Sequence, residues 1–146
     1  RPVAHVDVFA SAAAAAGAAP PTDRPIDGRD LVPYLRGEAS GPPHEQLYWR
    51  SGHYRSLVTG DGRYKLQRAD RPKRTWLFDL HADPTEQRDL SAERPDVVAE
   101  LARRLDALDA EMTAPAWPSL IEGPISIDKP LDVAQSADDE FVYWPN

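Results

Sequence analysis

Residues 60–90, GDGRYKLQRADRPKRTWLFDLHADPTEQRDL, carry turn residues whose order leaves few folds open. Asp61-Gly62 sits between the runs Tyr54–Thr59 and Arg63–Arg68. That is a strong hairpin pattern, because Gly tolerates the left-handed backbone that a tight turn needs. Trp76–Leu80 reads as a further strand, reached through a basic loop over Arg68–Arg74. Asp83-Pro84 then turns the chain toward a helix. Upstream, Leu47–Ser51 and Tyr54–Thr59 flank Gly52-His53. Four short strands joined by short loops predict a small antiparallel sheet.

A helix over Pro95–Ala114 follows from the apolar positions. Val98, Leu101, Leu105, Leu108 and Met112 step by three and four residues, which draws one stripe along a helix. Pro95 suits the first helical position, Asp96 and Glu100 favour the positive end of the dipole, and Pro115 forbids continuation. The sheet just before it is the surface that stripe would cover. Earlier, Val6–Ala16 predicts a helix capped by His5 or Asp7 and stopped by Gly17. Its alanine tract has high helix propensity but little volume, so it needs a close-packed partner surface. Leu31–Arg36 predicts a short helix with Asp30 as N-cap and Gly37 as C-cap. The tail Trp117–Asn146 is punctuated by prolines, and its Phe141-Val142-Tyr143-Trp144 reads as a last strand or anchored segment. The expected class is α+β: about four antiparallel strands packed by a C-terminal amphipathic helix.

Charge and composition exclude several functions. A net charge of −7 argues against nucleic acid, whose phosphates need a Lys/Arg surplus. No apolar run approaches the roughly 18 residues of a membrane-spanning helix. With no cysteine there is no disulfide, thiolate metal site or Cys nucleophile, although this does not fix the compartment. The sequence begins at Arg1, with no signal-peptide pattern, and runs straight into a helical stretch, so it reads as part of a longer protein.

Five segments, in order, resemble the C-terminal portion of the sulfatases, the arylsulfatase-like branch of the alkaline-phosphatase superfamily. Val6-Asp7-Val8-Phe9, the Ala-rich helix and Gly17 are similar to the last helix of that family's large domain, with Ala10-Ser11 in place of its Pro-Thr pair. Asp27-Gly28 through Gly37-Glu38 resembles its D-G-x-S-L-x-P-x-L-x-G segment, with Asp30 in place of Ser. Leu47-Tyr48-Trp49-Arg50 and Tyr54-Arg55-Ser56-Leu57-Val58 resemble the paired strands around its R-A-V-R segment. Gly60–Leu66 resembles its G-D-x-K-L hairpin. Leu77-Phe78-Asp79-Leu80, Asp83-Pro84, Glu86 and Asp89-Leu90 resemble its strand and turn, with Asp89 in place of Asn.

The resemblance implies a subdomain of an α/β sulfatase fold: residues 1–37 at the edge of a large α/β domain, 38–116 as sheet plus helix, and 117–146 as a tail packed on it. It also implies that the complete protein hydrolyses sulfate esters, from a small molecule or a sulfated sugar, with a formylglycine nucleophile and calcium. The C/S-x-P-x-R segment that yields the nucleophile is missing from this sequence, and the family's calcium carboxylates lie upstream of the matched part. No catalytic or metal-binding residue carries over. The expected partner is therefore the N-terminal catalytic domain of the same protein. Two readings stand beside this one: a non-catalytic interaction domain sharing the fold, and part of a phosphate or phosphonate monoester hydrolase of the same superfamily.

Arg50 and His53 are the candidate substrate contacts, since a connection at a sheet end can project toward a cleft and meet an anion. The run Arg68, Arg71, Lys73 and Arg74 is expected to be a solvated loop rather than a site for a sulfated polymer. His5/Asp7 and His81/Asp83 each offer only two ligands, where a metal needs three or four, so capping and turn roles are expected. Asp138, Asp139 and Glu140 lack calcium-loop spacing and read as a solvated acidic patch.

Overall fold

Four strands form one sheet in the order β1 (Gln46–Ser51), β2 (Tyr54–Thr59), β3 (Tyr64–Asp70) and β4 (Lys73–Asp79). The computed structural model describes residues 1–114, 116–117, 121–129 and 132–145. Two further strands, β5 (Glu122–Ser126) and β6 (Phe141–Pro145), pair antiparallel as a separate ribbon. The helices are α1 (Asp7–Ala15), α2 (Val32–Leu35) and α3 (Pro95–Glu111). The chain divides into two units, Arg1–Leu47 with Val58–Arg63, and Tyr48–Leu57 with Tyr64–Asn146.

In the second unit the period of a strand decides which side chain goes where. β3 and β4 pair antiparallel with Leu66 opposite Leu77, and Gln67 opposite Trp76. Successive strand residues point to opposite faces. On one face Leu57, Leu66 and Leu77 join Leu101 and Leu105 of α3 in a core whose members are at most 2% exposed. On the other face Ala69, Trp76 and Phe78 close with Val142 of β6. Tyr54 and Trp144 extend that second cluster, with ring centroids 5.0 Å apart. The sheet is thus covered on both faces, by α3 and by the β5–β6 ribbon. That explains the consecutive buried residues Trp76, Leu77 and Phe78 in β4.

Several boundaries differ from the sequence reading. The predicted basic loop Arg68–Arg74 is mostly strand, because β3 runs on to Asp70 and β4 starts at Lys73. Cross-strand pairing continues to Asp70 opposite Lys73, so Arg71-Pro72 alone makes the turn. Helix α1 has no side-chain cap: Asp7 lies inside the helix and bonds elsewhere, so neither His5 nor Asp7 caps it. Helix α2 spans four residues, and Asp30 Oδ1 accepts from Val32 N at 3.0 Å although Leu31 is the residue at the helix start. Gly37, at φ 74°, ends it as expected. Helix α3 stops at Glu111, because Met112 is already extended at ψ 134°. The proposed stop at Pro115 lies outside the described residues. No described helix is long and apolar enough to cross a membrane.

In the first unit two glycines are required by close approach. A Cβ on Gly28 would sit 2.1 Å from the Val6 carbonyl oxygen. One on Gly60 would sit 2.0 Å from that of His44, beside the Gly60 N–H bond to the Glu45 carbonyl at 2.8 Å. The neighbouring Gly62 takes the left-handed φ of 76° that the Asp-Gly pattern predicts.

Replacing Leu105 by Ala is expected to cost about 2–5 kcal/mol, the range for emptying a fully packed core position. Denaturant melts of the two proteins measure this, and a loss below about 1 kcal/mol would show that α3 does not depend on the leucine seam. Gly28→Ala is expected to lower stability by about 1–3 kcal/mol, because backbone rather than a flexible side chain must move. An unchanged melting curve would contradict that.

Candidate functional site

The structure does not bring the two sequence-selected residues together. Arg50 leaves β1 on the same face as Tyr48 and meets the last turns of α3. Its NH1 donates to Asp109 Oδ1 at 3.2 Å, and its NH2 donates to the Thr113 carbonyl at 2.7 Å. His53 sits in the β1–β2 turn and its Nε2 bonds Glu122 Oε1 of β5 at 2.9 Å, with the side chain 39% exposed.

Asp109 is a hub that the sequence did not reveal. Tyr48 Oη donates to it at 2.6 Å and Arg55 Nε at 2.9 Å, while Arg55 NH1 reaches Asp70 at 2.7 Å. Burial alone would raise the Asp109 pKa, but the Tyr48 hydroxyl, Arg55 and Arg50 outweigh it and hold the carboxyl below its ordinary value. Burial, aided by the same carboxylate, pushes the Tyr48 phenol up to about 12, so it stays a donor. The spacing signal was weak because Tyr48, Arg55 and Asp109 are far apart in sequence.

Asp7 forms a second hub, in the first unit. Its side chain is fully buried and accepts three hydrogen bonds, each 2.8 Å long: from Ala4 N, Arg29 N and His44 Nε2. A carboxylate only accepts, so His44 Nε2 carries the hydrogen. Burial opposes the charge here too, yet the two backbone N–H groups and His44 win and lower the Asp7 pKa. His44 was not singled out by the sequence, where it lies between two prolines and a polar run.

The basic run is not a solvated loop. Arg68 pairs with Asp106 of α3, Arg71 with Glu122, and Arg74 with Glu140. Arg71 also stacks 4.5 Å above the Tyr143 ring. The acidic tail residues are likewise structural: Glu140 accepts from Trp76 Nε1 at 2.8 Å, and Asp139 pairs with Lys129 and caps Ser136. The three arginines of the basic run are neutralised by acids distant in sequence, which no local charge count can foresee. Asp79 and Asp83 serve the turn that follows β4, accepting from His81 N at 3.2 Å and Arg88 N at 2.7 Å.

Among the described residues no group of three or more His, Cys, Asp or Glu side chains could hold a metal ion. The sequence contains neither cysteine nor a C/S-x-P-x-R segment. These residues fit neither calcium nor a formylglycine precursor.

No family model matches the chain. Over 58 residues it is 47% identical to the steryl-sulfatase of Rattus norvegicus, a stretch covering 40% of this chain and 10% of that protein. The steryl-sulfatase of Homo sapiens is 41% identical over the same length, with the same shares covered. A proposed sulfatase from Bacteroides thetaiotaomicron, solved as a crystal structure, matches in fold with a TM-score of 0.60 and 26% identity. That match covers 71% of this chain and 24% of that one. Over these stretches the chain is similar to the C-terminal portion of sulfatases. A second structure, from a Bacteroides thetaiotaomicron locus for the metabolism of multiple glycosaminoglycans, shares the fold at TM-score 0.58 and 24% identity, over 72% of this chain and 24% of that one.

The chain spans about a tenth of the length of the curated relatives it matches. Its four-stranded antiparallel sheet with a packed helix is the α+β arrangement shared with those structures. One departure from the sulfatase pattern now has a physical account. Asp89 Oδ1 accepts from Leu77 N at 3.1 Å and Ser91 N at 2.8 Å, while Leu90 N donates to the Leu77 carbonyl at 2.7 Å. The β4 edge needs an acceptor at this place, which Asp supplies as well as Asn.

Because its folded pKa is lowered, Asp7 adds stability that is complete above the ordinary carboxylate range and is lost as pH falls through the folded value. Asp7→Asn is expected to be less stable by about 1–3 kcal/mol near neutral pH, having lost a charged acceptor from a buried set. The gap should narrow toward about pH 3. Denaturant melts across that range decide it, and a gap independent of pH would exclude the carboxylate clamp.

Proposed function

We propose that this chain is the supporting part of a sulfatase-related hydrolase whose complete polypeptide cleaves sulfate esters with a formylglycine nucleophile and calcium. The observation that carries this reading is the pairing of a sulfatase-like sequence and fold with a donor set that, among the described residues, holds neither group. On this reading residues 1–37 belong to the edge of a larger α/β domain. Residues 38–116 form the scaffold and one wall of the substrate cleft, and 117–146 pack against it. Exposed Val8 and Phe9 on α1, at 68% and 53%, support an apolar neighbour for that helix. The N-terminal catalytic part of the same protein is the partner, and a sulfate ester of a small molecule or a sugar is the substrate.

Arg50 and His53 are the wall residues assigned to substrate. Each is already bonded to a carboxylate, Asp109 and Glu122 respectively. A sulfate group would have to displace these carboxylates, so neither residue is held ready as a free cation.

This 146-residue chain, incubated with calcium and an aryl sulfate, is expected to give no turnover. The same chain extended upstream through a C/S-x-P-x-R segment is expected to be active. Hydrolysis by the 146-residue chain itself would place the chemistry here and defeat the supporting role. An inactive extended protein, with its formylglycine verified by mass spectrometry, would defeat the sulfatase reading.

A further inference from the structure

We propose that the cleft on the Trp76 face of the sheet binds an uncharged saccharide through its hydroxyl groups. The cleft encloses about 640 Å³, between strands β3 and β4, the 85–89 loop and the 127–129 segment beside Glu140. That volume lies within the range of about 300–1,000 Å³ usual for small-molecule sites. It belongs wholly to the second unit and includes neither Arg50 nor His53. The inference does not depend on the sulfatase reading.

Three observations point to a ligand. First, Glu86 is the one described non-glycine residue with positive φ, at 59°. Such a backbone is strained and persists only where surrounding contacts over-determine it. Here Lys65 Nζ holds both carboxylate oxygens at 2.7 and 2.9 Å, and Gln67 Nε2 adds a bond at 2.6 Å, pinning Glu86 on the cleft wall. Second, Arg74 lies 5.0 Å over the Trp76 ring, with 45% of its side chain exposed. One arm of its guanidinium pairs with Glu140, and the NH2 arm is 4.0 Å from Asp89, beyond hydrogen-bonding distance. The NH2 arm of Arg74 therefore faces the cleft beside Asp89.

The third observation is the sign of the wall. Arg74, Lys129 and the Lys65 that holds Glu86 face four carboxylates, those of Glu86, Asp89, Asp128 and Glu140. A sulfate or uronate would meet net negative charge, and no described trio of these acids could hold a metal ion. Hydroxyl groups suit such a wall, because each can donate to a carboxylate and accept from Arg74 or from the amide of Gln87.

Amide NMR of the full chain, titrated with cellotriose, maltotriose and N,N′,N″-triacetylchitotriose, tests this against a heparin-derived tetrasaccharide. At least one neutral sugar is expected to give saturable shifts confined to residues 85–89 and 127–129, with weaker or no effect from the sulfated one. Arg74→Gln and Gln87→Ala should each weaken binding by about tenfold. Gln87 is exposed, so Gln87→Ala should retain the parent melting temperature and separate lost binding from lost folding. The proposal is overturned by the absence of saturable shifts with every neutral sugar, by tighter binding of the sulfated one, or by unchanged affinity in both variants.

Discussion

Everything in the second unit depends on the burial of the β3–β4 hairpin from both sides. Leu66 and Leu77 face α3, and Trp76 and Phe78 face Val142, so the pair has no solvent face to spare. Each fully buried leucine contributes about 1.5–3 kcal/mol, whereas an exposed ion pair contributes about 0.2–1 kcal/mol. The leucine seam of Leu57, Leu66, Leu77, Leu101 and Leu105 therefore sets the position of α3, and the many ion pairs around it set direction more than strength.

Polar groups do a different job. Asp109 collects Tyr48, Arg50 and Arg55 from two strands at the end of α3. Asp7 collects two backbone N–H groups and His44 in the first unit. Each hub keeps a carboxylate charged by giving it three donors, fully buried at Asp7 and half-buried at Asp109. The same logic runs through the tail, where Glu122 serves His53 and Arg71, and Glu140 serves Arg74 and Trp76. A chain with a surplus of acids thus spends many of them as acceptors for its own arginines.

The elements with strong local signals were legible. Asp61-Gly62 marks the β2–β3 turn, and the period of Val98, Leu101 and Leu105 marks α3, because both depend on residues close in sequence. The β5 strand was not legible: Glu122–Ser126 contains Gly and Pro, and it pairs only because β6 returns to it. The reach of β3 and β4 was underestimated for a related reason. Arg68, Lys73 and Arg74 look like loop until cross-strand pairing and distant acids account for them. His53 lies in the β1–β2 connection and Arg50 within β1, and their carboxylate partners come from 69 and 59 residues away.

The sequence alone determined the α+β class, the order of the strands along the chain, the amphipathic helix and the likeness to sulfatases, since these follow from turn residues, periodicity and motif order. Only the tertiary structure decided which face of the sheet meets α3 and which acids neutralise the basic run. It also decided that Glu86 and Arg74 share a cleft with the 127–129 segment. Those outcomes rest on contacts between residues tens of positions apart. Burial and charge pairing at that range are properties of the packed chain, and no window of sequence contains both partners.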